Sequence, residues 1–461
     1  MPPSFHIENF GCRAARADGE AITAQLEAAG CEAESAVEAD IVIVNTCSVT
    51  AEADREARAY IRRVHRRSPS TRIVVTGCYA QRAPQELAEI PGVAAVVGNS
   101  HKALAPQIAL SLADSSSAPQ PLSQASTSLQ SVVTGHGFSR ATTPALGIGA
   151  LAPAPPDPST VVPLASLTAG AAQIFKDDSF AHSFLEEAQV LPGAQTRPNL
   201  KIQEGCSNRC TFCVIPQTRG NSRSLSFSKV LRQVEGFVAA GGNELVLSGI
   251  NLGRWGRDLA PSEDEPRSLA ALVRTLIEQT GLPRLRLSSI EPMDWDDALI
   301  ALLGEFGGSR LCRHAHLPLQ SGSDTVLRRM HRRYRPWHYA QKVESLVAAT
   351  GPELTLGADV MVGFPGETDA EFDETVAFIR ALPFGYLHLF PFSPRPATPG
   401  WELHQRQAVP ERIVHQRMDV LRDLAAEKAY DHRTLLLGRE VAAVTLNTPL
   451  ALTVDGCTLA L

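Results

Sequence analysis

Three cysteines, Cys206, Cys210 and Cys213, spaced four and three apart, follow directly on a short strand-like run at 200–203. Thiolates at that spacing wrap one loop around a cubane 4Fe-4S cluster and leave its fourth iron without a protein ligand. An open iron can chelate the amino and carboxylate groups of S-adenosylmethionine. An electron passed into the sulfonium then releases a carbon radical, chemistry that belongs to the cofactor and that the protein positions. Zinc is the competing reading, but structural zinc asks for four ligands, and no fourth Cys or His lies nearby in sequence.

A second set is dispersed. Cys12, Cys47 and Cys78 each close one of the first three strand-like runs. In a parallel sheet such positions converge on one edge, at the carboxyl ends where these folds bind ligands. Three thiols more than thirty residues apart could thus meet at a second cluster. The alternative is three small buried residues capping strands. Cys31, Cys312 and Cys457 fit no cluster pattern and read as packing residues.

The elements that must position these thiols are legible in the hydrophobic pattern. Residues 5–10, 41–44, 73–76 and 93–97 are β-branched runs, with amphipathic segments at 17–29, 51–65 and 83–88 between them. That alternation reads as a small parallel α/β sheet. From 115 to 172 the pattern dissolves into Ser, Ala, Pro, Thr and Gly, too apolar-poor to offset the entropy of ordering. Alternation resumes with strands at 200–203, 244–248, 284–289, 314–319, 356–362 and 386–390, and amphipathic segments at 269–280, 337–349 and 369–381. Six such units imply a parallel β/α barrel, closed or partial, with its chemistry at the carboxyl ends of the strands. The expected α/β organisation is therefore an N-terminal sheet domain at 1–110, a flexible insertion or linker at 111–195, a barrel domain at 196–433 and a short strand-rich tail at 434–461.

The chain has 461 residues, 44% of them hydrophobic and 20% charged, values of an ordinary globular protein. With no basic-then-apolar leader and no apolar run near the roughly 20 residues of a membrane span, a cytoplasmic protein without membrane contact is expected. Nine cysteines in such a chain fit metal binding better than disulfides. The net charge of −6 excludes wholesale non-specific nucleic-acid binding but allows a local basic patch.

The Cys206, Cys210 and Cys213 pattern with Phe212 resembles the signature of radical S-adenosylmethionine enzymes. The segments IQEGC at 202–206, ELVLSGINLG at 244–253, RLSSIEP at 286–292, HLPLQSGSD at 316–324 and ADVMVGFPGET at 358–368 resemble, in order, those of the methylthiotransferase branch. The resemblance spans about 4–110 and 200–433. It implies two 4Fe-4S clusters, the auxiliary one on Cys12, Cys47 and Cys78, with S-adenosylmethionine as cofactor and an electron-donor protein as partner. In the cofactor cradle, Gly241 and Gly242 allow close backbone approach and Glu244 offers an acceptor for the cofactor's ammonium. Glu291, Gln320 and Ser321 end predicted strands, where ribose or carboxylate contacts belong; each alternatively serves only a turn or cap. Where the family has a polar Asn-Gln pair shortly after the first cysteine, this chain has Arg13-Ala14-Ala15-Arg16.

Related branches modify isopentenylated or threonylcarbamoylated adenosine in tRNA, or an aspartate on a ribosomal protein. The stretch VNTCSVTAEADR at 44–55 looks most like the threonylcarbamoyladenosine branch, which implies methylthiolation of carbon 2 of that base beside the anticodon. A non-catalytic iron-sulfur RNA-binding protein is the alternative of another class. Arg62, Arg63, Arg66 and Arg67 lie along one predicted helix, suited either to tRNA phosphates or to plain solvation. Arg328, Arg329, Arg332, Arg333 and Arg335 form a second candidate strip. The tail resembles the start of the small β-barrel RNA-binding domain that ends these enzymes, in truncated form.

Overall fold

The computed structural model describes residues 2–113, 172–180, 190, 192, 197–261, 265–441, 443–445, 450–453 and 458–460. Most of the stretch read as a linker, and Cys457, lie outside the described residues.

The N-terminal unit runs β1 (Ser4–Asn9), α1 (Arg13–Ala28), β2 (Glu32–Ala33), β3 (Ile41–Thr46), α2 (Ala51–Arg67), β4 (Arg72–Gly77), α3 (Cys78–Arg82), α4 (Pro84–Ala88), β5 (Val93–Gly98), α5 (Ala105–Ala113) and β6 (Gln173–Phe175). All pairings are parallel, in the order β2-β1-β3-β4-β5-β6. Side-chain alternation sends Val42, Val44, Ile73 and Val75 to one face under Ile61 and Val64 of α2. Ile41, Ile43 and Val74 go to the other face, against Ile22 and Leu26 of α1 and Ile108 of α5. Both faces are covered, which is why β3 is buried along its whole length. Helix α2 is started by the Thr50 hydroxyl, which accepts from the Ala53 amide at 3.2 Å. Its first turn carries Glu52 and Asp54 and its last His65, Arg66 and Arg67, charges that complement the helix dipole.

Two elements intrude on the expected linker. Helix α5 continues to Ala113, and β6 pairs with β5 as the last strand of the sheet. Ile174 and Phe175 pack onto the two opposite cores. A three-residue strand has no periodicity to read, so only pairing reveals it.

The second unit comprises β7 (Asn199–Glu204), α6 (Ile215–Arg219), β8 (Arg223–Ser224), α7 (Phe227–Ala239), β9 (Glu244–Gly249), α8 (Leu269–Gln279), β10 (Arg284–Leu287), α9 (Asp297–Phe306), β11 (His314–His316), α10 (Asp324–Arg329), α11 (Pro336–Thr350), β12 (Thr355–Val362), α12 (Asp369–Ala381), β13 (Phe384–Pro391), α13 (Pro399–Gln407) and α14 (Glu411–Thr434). Strands β7, β9 and β10 pair in parallel, as do β11, β12 and β13. An isolated Leu285–Leu311 bridge joins the two sets into one open barrel wall, edged beyond β7 by antiparallel β8. Leu200, Ile202, Leu245, Leu247, Leu285, Leu287, Ala315, Leu356 and Ala358 enter one core with the helices. By the two-residue period of a strand, Lys201, Gln203, Glu244, Ser248, Arg286, His314, His316 and Asp359 face the interior instead. Helix α1 packs against both β7 and β9, so the N-terminal unit sits on the open barrel.

The tail forms a three-stranded antiparallel sheet of β14 (Ala443–Thr445), β15 (Leu450–Thr453) and β16 (Thr458–Ala460). No helix among the described residues is long and apolar enough to cross a membrane.

Candidate active site

The sheet brings Cys12, Cys47 and Cys78 together through two glycines. Gly11 (φ +104°) lies so close to Cys47 that a Cβ on it would sit 2.3 Å from the Cys47 Cβ and 2.6 Å from its Sγ. Gly77 (φ +99°) packs equally hard on the Thr46 backbone, with its would-be Cβ 2.3 Å from the Thr46 carbonyl oxygen. Only glycine meets both demands, positive φ and close approach. Cys12 is exposed at the start of α1, whereas Cys47 and Cys78 are buried. Burial first, then the neighbouring Cys78 and Cys12 sulfurs, pushes the Cys47 thiol up to about 12. In place of the missing Asn-Gln pair, the Asn45 amide donates to the Ala15 carbonyl at 2.5 Å and to Asn9 Oδ1 at 2.9 Å.

Cys206, Cys210 and Cys213 occupy the loop after β7. Its start is held by the Cys206 amide on the Gly220 carbonyl at 3.0 Å. Its middle is held by Thr211, which donates to the Met330 carbonyl from its amide at 3.1 Å and to the Arg329 carbonyl from its hydroxyl at 3.0 Å. Burial pushes the Cys213 thiol up to about 12 and raises that of Cys206. Side-chain donors reach two of the three sulfurs. Asn251 Nδ2 lies 3.7 Å from Cys206 Sγ and Arg332 Nη1 3.2 Å from Cys210 Sγ.

Comparison with known proteins agrees with this geometry. Residues 4–98 match the family described as "Uncharacterized protein family UPF0004", and residues 200–379 match the "Radical SAM superfamily". The chain is 32% identical to the threonylcarbamoyladenosine tRNA methylthiotransferase MtaB of Aquifex aeolicus, over 95% of this chain and 92% of that protein. It is 34% identical to the protein of the same name from Bacillus subtilis, over 94% and 83%. The protein belongs to the radical S-adenosylmethionine methylthiotransferase family. It is therefore an enzyme that carries two 4Fe-4S clusters and uses S-adenosylmethionine. The tRNA-2-methylthio-N(6)-dimethylallyladenosine synthase of Erythrobacter litoralis is 31% identical over 93% of this chain and 84% of its own. The overall fold is shared with the radical S-adenosylmethionine methyltransferase TsrM of Kitasatospora setae, at a TM-score of 0.53 and 16% identity over 88% of this chain and 78% of that one.

The residues present fit the cofactors of this methylthiotransferase family. Three clustered thiols resist ionising together unless a soft metal takes their charge, and at both sites burial first, then the neighbouring sulfurs, raise a thiol. Interior polar atoms also await partners. Among the described residues, Asn251 Oδ1, Ser288 Oγ, Gln320 Oε1 and Arg286 Nε and Nη1 are buried without a hydrogen bond. Such orphans are costly unless a ligand meets them.

The other expected site residues divide. Phe212 is half-buried against the barrel core, within the thiol loop. Glu291 takes both its oxygens to Arg332 Nη2, at 2.8 and 2.6 Å, and so stands one residue removed from Cys210. Gln320 is a non-glycine residue at φ +63°, a costly conformation that the flanking bonds Gln320 N to Asp359 O and Met361 N to Gln320 O impose. The Ser321 hydroxyl shares a hydrogen bond with Thr375 at 3.0 Å and accepts from the Ser323 amide, which makes it a turn anchor. Gly241, Gly242 and Glu244 are not brought to the thiols. The glycines form the turn between α7 and β9, with Gly242 pressed against Phe237, and Glu244 pairs with Arg284 at 3.1 Å. They stand at the amino end of β9, whereas the thiol loop follows the carboxyl end of its parallel neighbour β7. The residue of that segment beside the thiols is Asn251, beyond the far end of the strand.

Sequence reading missed the basic partners of the sulfurs, Arg219 and Arg332. It also missed the group of Asp359 with buried His316 and exposed His388, whose nitrogens lie 3.4 and 3.2 Å from Asp359 Oδ1. Burial would raise the Asp359 carboxyl, but the two neighbouring histidines outweigh it and hold it well below the usual carboxylate range. The period-2 pattern His314, His316 on β11 and Tyr386, His388 on β13 was the available signal.

Of the basic strips, Arg62, Arg63, Arg66 and Arg67 are exposed on α2. The second strip dissolves into ion pairs: Arg328 and Arg335 bind Asp324, Arg329 binds Glu371, and Arg332 turns inward.

Proposed function

We propose that the enzyme adds a methylthio group to carbon 2 of N6-threonylcarbamoyladenosine beside the anticodon of tRNA, taking electrons from a donor protein. The observation that carries the reaction is the pair of thiol sets at the seam of the two units, Cys78 being joined by Arg219 to the helix that directly follows Cys213. The choice of base draws on the 44–55 stretch and on the names of the relatives, which divide between two tRNA bases at similar identity.

When bound, the cluster on Cys206, Cys210 and Cys213 supplies reductive cleavage of S-adenosylmethionine and the radical that takes hydrogen from the base, while the cluster on Cys12, Cys47 and Cys78 holds the sulfur to be delivered. The chain's own groups position and shield. Asp359, kept ionised, orients His316 on the interior wall, with exposed His388 on its other side. His314 Nε2 and the Tyr386 hydroxyl, 2.8 Å apart, extend that wall. Helix α1 lies across β7 and β9 and limits water at the interior. Helix α2 starts beside Cys47 and, in its last two turns, presents Arg62, Arg63, Arg66 and Arg67 over about 8 Å, a patch for tRNA phosphates.

Reconstituted enzyme offered tRNA bearing threonylcarbamoyladenosine or dimethylallyladenosine, with nucleosides read by mass spectrometry, should yield the methylthio product only from the first. Product from the second alone sinks the assignment of base. Replacing Arg62, Arg63, Arg66 and Arg67 with Ala should flatten the salt dependence of tRNA binding by about 0.7–0.9 in slope per lost phosphate contact.

A further inference from the structure

The seam between the units buries five ionisable side chains. Asp18 of α1 and Glu204 of β7 are the carboxylates. Lys102 lies 2.8 Å from Asp18 and 3.3 Å from Glu204. Lys201 reaches both carboxylates, Glu204 at 2.5 Å. Arg219, fully buried, reaches Glu204 at 2.5 Å and Asp18 at 3.1 Å. Burial pulls the Lys102 ammonium down, against the opposing pull of Asp18 and Glu204. Arg219 is the one cation of the three that cannot shed its proton in a protein. An isolated buried charge is expensive and calls for a counter-charge. The remaining Arg219 donor, Nε, points 3.2 Å from Cys78 Sγ, and Asn99 Nδ2 adds a second bond to that sulfur at 3.4 Å.

The other thiol site is built differently. Arg332 also touches a cysteine sulfur, but both its contacts with Glu291 cancel its charge locally. Arg332 thus meets a sulfur of its own unit, whereas Arg219 reaches a sulfur of the other unit.

We propose that Arg219 is a positioning residue of methylthiolation: its permanent positive charge, aimed at Cys78 from the barrel unit, stabilises the more negative state of the N-terminal cluster and raises its reduction potential. This rests on the assignment of Cys12, Cys47 and Cys78 as that cluster's ligands. Charge and hydrogen bonds at ligand sulfurs are the protein's main levers on such potentials. The N-terminal cluster is thereby fitted to hold anionic sulfur.

The test uses the full chain with Cys206, Cys210 and Cys213 changed to Ala, so that a single cluster remains. Absence of any 4Fe-4S signal in this parent would refute the ligand assignment itself. In the loaded parent, redox titration followed by electron paramagnetic resonance should give a more negative midpoint for Arg219→Gln. The midpoint should stay near the parent's for Arg219→Lys, which keeps the charge. Asp18→Asn, which removes a counter-charge of Arg219, should move it to a more positive value and needs no loss of Arg219. A midpoint unmoved by Arg219→Gln, an Arg219→Lys shift equal to that of Gln, or a negative shift with Asp18→Asn would each overturn the proposal.

Discussion

The two thiol sites of this enzyme solve one problem by opposite means. Cys206, Cys210 and Cys213 lie in a single loop whose shape is set by local bonds, such as Cys213 N to Cys210 O at 3.1 Å, and by clamps from Met330 and Arg329. Cys12, Cys47 and Cys78 come from three strand ends, and their meeting depends on sheet register and on two glycines that permit near-contact of backbones. The first arrangement is a motif; the second is a property of the fold. The difference extends to the second sphere, where Arg332 is answered by Glu291 within its own unit, whereas Arg219 ties a barrel helix to a sulfur of the other unit. The loop site draws its clamps from its own unit, whereas the strand-end site receives Arg219 only when both units are docked.

The comparison breaks most visibly if the sites are removed in turn. Changing Cys12, Cys47 and Cys78 to Ala should leave one 4Fe-4S cluster and preserve 5'-deoxyadenosine formation under a strong reductant, with no methylthio product. Changing Cys206, Cys210 and Cys213 should leave one cluster and abolish both. Methylthiolated tRNA from the first variant would disprove the separation of roles.

A finer cut uses backbone rather than ligands. Gly11→Ala keeps every cysteine but places a methyl on Cys47 at a φ of +104°, so iron-sulfur absorption should fall by about half while the second site still loads. Gly205→Ala, whose Cβ would meet the Asn221 carbonyl oxygen at 2.0 Å, should remove the other half instead. Full loading in both variants would mean that neither close approach matters.

The smallest effect is expected from the clamp on the loop. Glu371, held by Arg329 at 2.8 Å, has its carboxyl lowered to about 2 from an ordinary 4.5, chiefly through that hydrogen bond. A carboxyl depressed in the folded state stabilises above its unfolded value and loses that contribution as pH falls through the range from 4.5 toward 2. Arg329→Gln should therefore flatten the acid limb of the stability curve, by well under what a buried pair gives because Glu371 is near the surface. Cluster content at neutral pH should not change. An acid limb identical to that of the parent would place the clamp elsewhere.

Local chemistry made much of this readable from residues alone. Thiol spacing, β-branched runs and amphipathic segments are short-range patterns, and they marked both cysteine sets and the alternating units that carry them. Asp18, Lys102, Lys201 and Glu204 carried no such mark, because nothing near Asp18 in the chain indicates that Arg219, 201 positions away, will be its partner. For the same reason Glu244 looked like a cofactor ligand: the residue type was right, but only the parallel register of β7 and β9 shows that it stands at the end remote from the thiols, with Asn251 in the useful place. Sequence by itself determined which thiols are spaced to bind metal and where the longer strands run, since both follow from composition over a few residues. The tertiary structure alone decided which strand ends share an edge and which buried charge is left to answer a sulfur, since desolvation and pairing are settled only when distant segments exclude water together.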